Sequence, residues 1–316
     1  MVGKDMEKSI ISKYINTPVL FLVFNRIDTA NQVFEVIKKA KPPRLYIGSD
    51  GPREQKEGEA EKVKAVREYV LNSIDWDCDV KTLFQEKNLG CKYAVSSAIT
   101  WFFEHEDMGI ILEDDCLPSL SFFKFCEELL IRYKDDKKIW HIGGSNFQDG
   151  IKRGDGDYYF SAINHIWGWA SWADRWKFYD KELDDIKDSS FINNYWSGKA
   201  FKDWNKIFWK MKNKKKDTWD HQWTFSIWRN NGIAILPNVN MISNIGFGKY
   251  ATHTKDNNDK VANLIINEMD IINIKHPLQT GRNKEADEYD YRKSFSKKPF
   301  LKRVVNKLYK IIKRDF

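Results

Sequence analysis

The sequence of 316 residues has few cysteines and no long apolar segment. Its four cysteines, Cys78, Cys91, Cys116 and Cys126, are far apart and show none of the paired spacings of zinc or redox motifs. Four in this length is ordinary for reduced, unpaired thiols. No stretch approaches the length of a membrane-spanning helix. These absences predict a soluble or peripheral protein with free thiols.

The amino terminus also lacks a secretory signal. Residues 1–16, MVGKDMEKSIISKYIN, contain neither the long apolar block nor the small-residue cleavage site of such a signal. We therefore expect a cytoplasmic protein. A hydrophobic content of 42% excludes a disordered chain, and the length suffices for one large domain or two modest ones.

Acidic residues are the minority, since 52 Lys and Arg against 45 Asp and Glu give a net charge of +7. Much of the excess lies in residues 293–316, where apolar residues recur at helical spacing. This pattern predicts a basic amphipathic helix that either lies on anionic lipid, at the inner face of the membrane, or docks its apolar stripe on the domain. No nucleic-acid-binding motif accompanies the charge, so we expect no nucleic-acid partner.

Strands and helices alternate over the first 150 residues. The run TPVLFLVFNRID, from Thr17, is typical of a parallel strand buried on both faces, and the next segment predicts a helix with Asp28 as N-cap. Further strands are predicted at RLYIGSDGP, DVKTLFQEKNLG, MGIILEDD and KIWHIGGSNF. The pattern indicates an α/β fold with a doubly wound, mostly parallel sheet flanked by helices, whose ligands bind beyond the carboxyl ends of the strands.

Three acids, Glu113, Asp114 and Asp115, directly follow one of these buried strands. A buried carboxylate is costly unless a positive group meets it. Mg²⁺ or Mn²⁺ suits such a place, because it takes one or two carboxylates and completes its shell with phosphate oxygens and water. The alternative is a turn before Pro118, with Asp115 capping the helix that starts near Ser119.

Two other strand ends also bear polar residues. Arg26, which follows Asn25, is either a surface charge or a phosphate clamp. Asp50 is either a turn former in Asp-Gly-Pro or an acceptor for the N–H of a nucleobase.

The second half of the chain is rich in tryptophan, with ten of the thirteen between Trp167 and Trp228. Most of them are expected in the core, although aromatic faces also stack on sugars. Asp220 is either a helix N-cap or a general base that takes a proton from a hydroxyl group. His221 could be a base or a metal ligand, but we expect only one of two adjacent residues to face a site.

The segment 242–255, ISNIGFGKYATHTK, contains two glycines, a lysine, hydroxyl groups and a histidine. This composition suits a loop that folds over phosphates and shields a reaction from water. A plain surface loop is the alternative.

Taken in order, the segments FLVFNR, IGSD, IILEDDCLPSLSFF, IWGWASW, WDHQW and IGFGKYATHT resemble the GT-A glycosyltransferases, most closely those related to N-acetylglucosaminyltransferase I. The resemblance covers about residues 17–256. It implies a GT-A domain over residues 1–256, with a nucleotide-binding half at about 17–150 and an acceptor and catalytic half at 151–256. A polar extension at 257–292 and the basic tail at 293–316 would follow.

The resemblance also implies roles for individual residues. Asp115 resembles the ligand of Mn²⁺ or Mg²⁺, and Asp220 resembles the general base. Arg26 and Asp50 would hold the diphosphate and the uracil of UDP. The full set of implied donor contacts is Asn25, Arg26, Asp50, Glu113, Asp114, Trp219, Thr252 and His253.

The implied activity is metal-dependent, inverting transfer of a sugar from a UDP-sugar to a hydroxyl group of a glycan or lipid-linked acceptor, in surface polysaccharide synthesis. UDP-N-acetylglucosamine is favoured and UDP-galactose is the second candidate. A sugar-phosphate nucleotidyltransferase is an alternative, although VFNRIDTANQ lacks the glycines of its usual loop. A non-catalytic glycan- or membrane-binding module is another.

Overall fold

A computed structural model describes residues 14–213, 216–247 and 263–295. Two predicted site residues, Thr252 and His253, lie outside these ranges, as does nearly all of the predicted basic helix. Among the described helices, none combines the length and the apolar character that crossing a membrane requires.

The described structure contains ten strands, eight α-helices, two short 3₁₀-helices and a π-helix. The strands are β1 Val19–Val23, β2 Arg44–Ser49, β3 Asp79–Phe84, β4 Met108–Glu113, β5 Cys116–Pro118, β6 Ile139–Gly143, β7 Tyr158–Ser161, β8 Trp169–Trp172, β9 Ile233–Pro237 and β10 Ile242–Asn244. The helices are α1 Ile27–Ala40, α2 Glu59–Asn72, α3 Gly90–Phe103, α4 Leu120–Arg132, α5 Ala173–Trp176, α6 Gly198–Lys212, α7 Asp220–Arg229 and α8 Lys284–Asp290. A π-helix, Tyr291–Phe295, follows α8.

Eight strands form one sheet in the order β3-β2-β1-β4-β8-β6-β9-β7. Within it, β7 and β8 run antiparallel to their neighbours and the other strands are parallel to one another. This topology confirms the predicted α/β class with a mostly parallel sheet. The hydrophobic pattern did not predict the antiparallel strand β8, which lies between β4 and β6.

Both faces of the sheet are covered by helices, as the apolar run in β1 predicts. Phe21 packs in a cluster with residues of α1, α2 and α4, whereas its neighbours Leu20 and Leu22 pack in a second cluster with residues of α3, α6 and α7. Successive side chains of a strand point to opposite faces, so a strand covered on both sides is apolar throughout. Most of the tryptophans lie in the second cluster, which confirms that they are mainly core residues.

The carboxyl ends of β1, β2 and β4 meet at one edge of the sheet. The three strands are parallel, with Val23 opposite Ser49 and Leu22 opposite Glu113. The residues that follow each strand therefore face a common space, which is where open α/β sheets bind ligands.

A second, two-stranded sheet closes over this edge. In it β10 pairs antiparallel with β5, and Asn244 lies opposite Cys116. The pairing continues where the Ile245 N–H donates to the Asp115 carbonyl at 2.8 Å. The first described residues of the segment 242–255 thus lie on the acidic triplet.

Helix α8, in the region predicted as a polar extension, docks on the sheet through a buried carboxylate. Asp287 is fully buried and accepts hydrogen bonds from the Ser161 hydroxyl at 2.6 Å and the Ala162 N–H at 3.0 Å. It also pairs with Arg282, which donates to the Tyr195 carbonyl at 2.6 Å. Since a buried carboxylate is stable only when such donors surround it, these contacts fix α8 beside β7.

Candidate active site

Arg26 joins two of the three acids at the end of β4. Its Nη2 lies 2.5 Å from Asp114 Oδ1 and 2.9 Å from Asp115 Oδ2. The Phe24 N–H donates to the other oxygen of Asp114 at 3.1 Å. Burial raises the pKa of Asp114 to about 6, although Arg26 and this N–H favour the charged form. The positive group that the buried acids require is therefore supplied by the end of β1.

Asp115 does not cap α4. The cap is Ser119, whose hydroxyl oxygen accepts from the Phe122 N–H at 3.3 Å. Asp115 Oδ1 instead faces the Cys116 thiol at 3.4 Å, a weak contact. The carboxylate is thus available for a ligand other than the helix.

Glu113 has a buried oxygen, Oε1, with no hydrogen-bond partner among the described residues. Burial, together with the charges of Asp115 and Asp114, raises the pKa of Glu113 to about 8. Glu113 is thus protonated at neutral pH unless a cation replaces its proton, and carboxylate oxygens are ligands that hard divalent cations take.

A cation held here would rely on few protein ligands. Within residues 14–213, 216–247 and 263–295, no group of three or more His, Cys, Asp or Glu side chains is arranged around a common point. Mg²⁺ and Mn²⁺ fit such a place all the same, because they keep several waters and bind through one or two carboxylates plus substrate phosphates. Asp115, with Glu113 beside it, provides that number.

Gly246 allows the backbone of the segment 242–247 to approach Arg26 and Asp115. A Cβ at this position would lie 2.2 Å from Asp115 Oδ2 and 2.6 Å from Arg26 Nη1. Asp115 Oδ2 could not withdraw without lengthening its ion pair with Arg26 Nη2. Glycine is therefore required here by close approach.

Asp50 supports the loop that precedes α3. Its carboxylate accepts from four donors, namely the Gly51 N–H at 2.8 Å, the Leu89 N–H at 2.8 Å, the Asn88 amide at 2.9 Å and the Gly90 N–H at 3.1 Å. A carboxylate has about four lone-pair sites, so a base N–H would have to replace one of these donors. The contact between Asp50 and uracil stays a prediction.

A second carboxylate, Asp217, holds the first turn of the same helix. It accepts from the Cys91 N–H at 2.9 Å and the Lys92 N–H at 2.8 Å. Gly90 has a φ of +78°, and a Cβ there would lie 2.8 Å from Asp217 Oδ2. The segment just before Asp220 is thereby fixed to the end of β2, through α3.

Replacing Asp217 with alanine should lower the free energy of unfolding by about 1–2 kcal/mol, as expected for a lost helix cap. Two N–H groups in the first turn of α3 would lose their acceptor. Urea unfolding at pH 7 measures the change, and Asp217→Asn, which keeps one acceptor oxygen, should lose about half as much. Equal urea midpoints for Asp217→Ala and wild type would contradict the role.

Asp220 begins α7 and is paired with His221. The Nδ1 of His221 lies 3.3 Å from Asp220 Oδ2, while its backbone N–H donates to Asp220 Oδ1 at 2.8 Å. The Thr218 hydroxyl also donates to Oδ1. Burial opposes ionisation, but the His221 ring and these donors outweigh it and hold the pKa of Asp220 well below its usual range. The carboxylate therefore stays charged at neutral pH.

The expectation that only one of the two adjacent residues faces a site is wrong. Asp220 and His221 line the same pocket, because the Asp220 carboxylate folds back onto the His221 N–H at the start of the helix. Asp220 also contributes to the raised pKa of Glu113 and of Cys91, which places it within electrostatic range of the acidic triplet.

Two other predicted donor contacts have partners within the fold. Asn25 donates to Glu59 Oε1 at 2.9 Å. Trp219 is 2% exposed and stacks on Trp169 with 5.6 Å between ring centroids. Their contacts with a donor stay predictions. Sequence reasoning missed Asp217, although its place three residues before Asp220 in KDTWDHQW was a hint.

The imidazole of His141 is fully buried in the core and stays neutral. It stacks on Trp169, and its Nε2 lies 2.9 Å from the His165 carbonyl. The Trp223 indole N–H donates to its Nδ1 at 3.3 Å. Burial lowers the pKa of His141 from 6.5 to about 3.

This burial predicts acid sensitivity. The folded protein binds the proton of His141 less readily than the unfolded chain, so stability is lost as the pH falls below 6.5. Between pH 7 and 5 the loss should be about 2 kcal/mol greater in wild type than in His141→Gln, by urea unfolding at both pH values. Replacing the exposed His105 with glutamine is the control and should leave the pH dependence of wild type. If His141→Gln lost as much stability as wild type between pH 7 and 5, burial of His141 would not be the cause of the acid sensitivity.

Comparison with known proteins gives distant structural similarity alone. No family model matches the sequence, and no curated protein does. Among solved structures, a mannosyltransferase from Pyrobaculum calidifontis in complex with GDP-Man and Mn²⁺ is 9% identical, with 70% of each chain covered and a TM-score of 0.38. A UDP-glucose pyrophosphorylase complexed with UDP-glucose is 8% identical over 71% of this chain and 90% of its own, with a TM-score of 0.38. An inositol-1-phosphate CTP transferase from T. maritima is 10% identical over 71% of this chain and 86% of its own, with a TM-score of 0.37.

Proposed function

We propose that the protein is a metal-dependent, inverting glycosyltransferase that moves a sugar from a UDP-sugar to a hydroxyl group of a glycan or lipid-linked acceptor. The observation that supports this most is the arrangement at one sheet edge of Arg26, the acids 113–115 and, within electrostatic range, Asp220. This arrangement combines an arginine that can bind phosphate, carboxylates that can hold a metal ion, and a further carboxylate that can act as the base. The resemblance to glycosyltransferases favours UDP-N-acetylglucosamine, and UDP-galactose is second.

Each of these residues has a separate role in the proposed reaction. Arg26 Nη2 serves the two carboxylates, which leaves its other N–H groups for phosphate oxygens. Mn²⁺ or Mg²⁺ at Asp115 would neutralise charge on the leaving diphosphate. Asp220 takes the proton of the acceptor hydroxyl group, whose oxygen bonds to the anomeric carbon as the bond from that carbon to UDP breaks. Attack from the face opposite UDP inverts the configuration.

The connection between β1 and α1 favours this reaction over nucleotidyl transfer. It consists of Phe24, Asn25 and Arg26, contains no glycine, and the Phe24 N–H is already bound to Asp114. A loop that cradles a nucleoside triphosphate needs several free backbone N–H groups. A non-catalytic binding module, in turn, has no need for buried acids beside a paired Asp220.

The test is a panel of UDP-sugars with the full-length protein and Mn²⁺. We expect slow release of UDP from one donor, and loss of that release when a chelator is added. A nucleotidyltransferase would instead release pyrophosphate from UTP and a sugar 1-phosphate. UDP affinity that does not respond to the chelator would contradict the metal site.

A further inference from the structure

A pocket of about 130 Å³ adjoins the Asp220–His221 pair. Its walls include the aromatic rings of Phe147, Trp167 and Trp204. The acids 113–115 and Arg26 do not line it. The pocket therefore shares Asp220 with the proposed reaction but lies apart from the residues proposed to hold the diphosphate.

One polar group in this pocket lacks a partner. Asn164 is 8% exposed, and its Oδ1 accepts from the Thr224 hydroxyl at 2.8 Å. Its Nδ2 is buried and has no hydrogen-bond partner in the described structure. Both residues line the pocket. Because an unsatisfied buried donor is costly, an amide fixed in this way indicates a ligand with an oxygen acceptor.

The wall beside Asn164 is held by a buried pair. His165 Nε2 lies 3.1 Å from Asp290 Oδ2, and the two side chains are 7% and 0% exposed. The His165 ring also meets Phe147 edge to face, with 4.4 Å between centroids. Asp290 ends α8, so the docking of this helix fixes one side of the pocket. A site supported in this way is preorganised for its ligand.

The size and lining of the pocket define its ligand. A volume of about 130 Å³ corresponds to about four molecules of liquid water, so the pocket encloses part of one sugar unit and excludes an oligosaccharide. Aromatic rings stack on the C–H face of a sugar, and an amide N–H binds its hydroxyl groups. Because a general base must reach the hydroxyl group that reacts, a pocket beside Asp220 but apart from Arg26 lies on the acceptor side.

We propose that this pocket binds one monosaccharide unit of the acceptor, with Asn164 Nδ2 donating to a ring oxygen or hydroxyl group and the reacting hydroxyl group next to Asp220. Asn164 would then select among acceptor sugars, since only a unit with an acceptor atom at that point satisfies its amide. This inference rests on the proposed function for the class of its ligand.

Saturation-transfer NMR with methyl glycosides of glucose, galactose, mannose and N-acetylglucosamine, both anomers of each, tests the pocket without any nucleotide. We expect at least one glycoside to bind wild type. Asn164→Asp, which keeps the oxygen that accepts from Thr224, should weaken that binding at least about tenfold through loss of one buried hydrogen bond. Asn193→Asp, the same change on an exposed side chain, should leave binding unchanged.

Binding of no glycoside to wild type, or equal affinities for wild type and Asn164→Asp, would overturn the proposal. If Asn164→Asp fails to fold, Thr224→Val and Thr224→Ser replace it, and only the valine variant should weaken binding, because serine keeps the hydroxyl group that orients Asn164. The proposed reaction fails separately: a wild type that binds a glycoside but turns over no UDP-sugar would contradict glycosyl transfer and not the pocket.

Discussion

Asp115→Asn should lower UDP-sugar turnover at least about 10³-fold, because a Lewis-acid cation contributes several kcal/mol to stabilising a leaving group and about 1.36 kcal/mol corresponds to tenfold in rate. The change removes the charge that would bind the cation. Arg26 would still pair with Asp114, so the sheet edge should keep its structure. Calorimetric titration of UDP with and without Mn²⁺ should show affinity that no longer depends on the metal.

The matched control for this experiment is Asp28→Asn. Asp28 is exposed in the first turn of α1, close to Arg26 in sequence but outside the ion-pair cluster. Asp28→Asn changes the net charge by the same amount as Asp115→Asn and should leave both turnover and metal dependence as in wild type. If Asp115→Asn kept metal-dependent UDP binding, a residue other than Asp115 would hold the cation.

The sequence predicted the framework well because that framework is encoded locally. The apolar runs that became β1 and β4 are buried on both faces, and parallel neighbours put their carboxyl ends side by side. The acids after β4 could therefore be placed at a ligand-binding edge before any coordinates were known. Hydrophobic periodicity does not depend on distant contacts.

The missed features depend on contacts between residues far apart in the chain. The ion pair of Arg26 with Asp114 joins residues 88 positions apart, which no local pattern encodes. Asp28 does not cap α1, because the helix already begins at Ile27 and Arg26 occupies the cap position without a side-chain cap hydrogen bond. The strand Trp169–Trp172 was missed because it has only four residues and its partners, β4 and β6, lie elsewhere in the sequence.

The expectation about the Asp220–His221 pair shows a further limit of pattern reasoning. Adjacent side chains on a regular helix point in different directions. At the first position of α7, however, the carboxylate bonds to the next backbone N–H, and this local bond brings carboxylate and imidazole together. Helix ends depart from the periodic rule because their N–H groups lack helical partners.

Asp220→Asn should lower glycosyl transfer by about 10²–10⁴-fold while UDP affinity stays as in wild type, since the variant loses a general base and no contact to the donor diphosphate. His221→Gln separates the two candidates for the base. If Asp220 takes the proton, this variant should lose less than about tenfold, because His221 only stabilises the neighbouring charge.

The control for this pair is Asp185→Asn, which removes an exposed carboxylate whose Oδ2 lies 2.8 Å from Arg229 at the other end of α7. It should transfer sugar at the wild-type rate, because surface ion pairs contribute little and this one is outside the pocket. Single-turnover transfer with UDP affinity measured on the same samples gives both quantities. Transfer retained by Asp220→Asn and lost by His221→Gln would assign the base to the His221 imidazole. The residues at the sheet edge would then bind the donor and take no part in proton transfer.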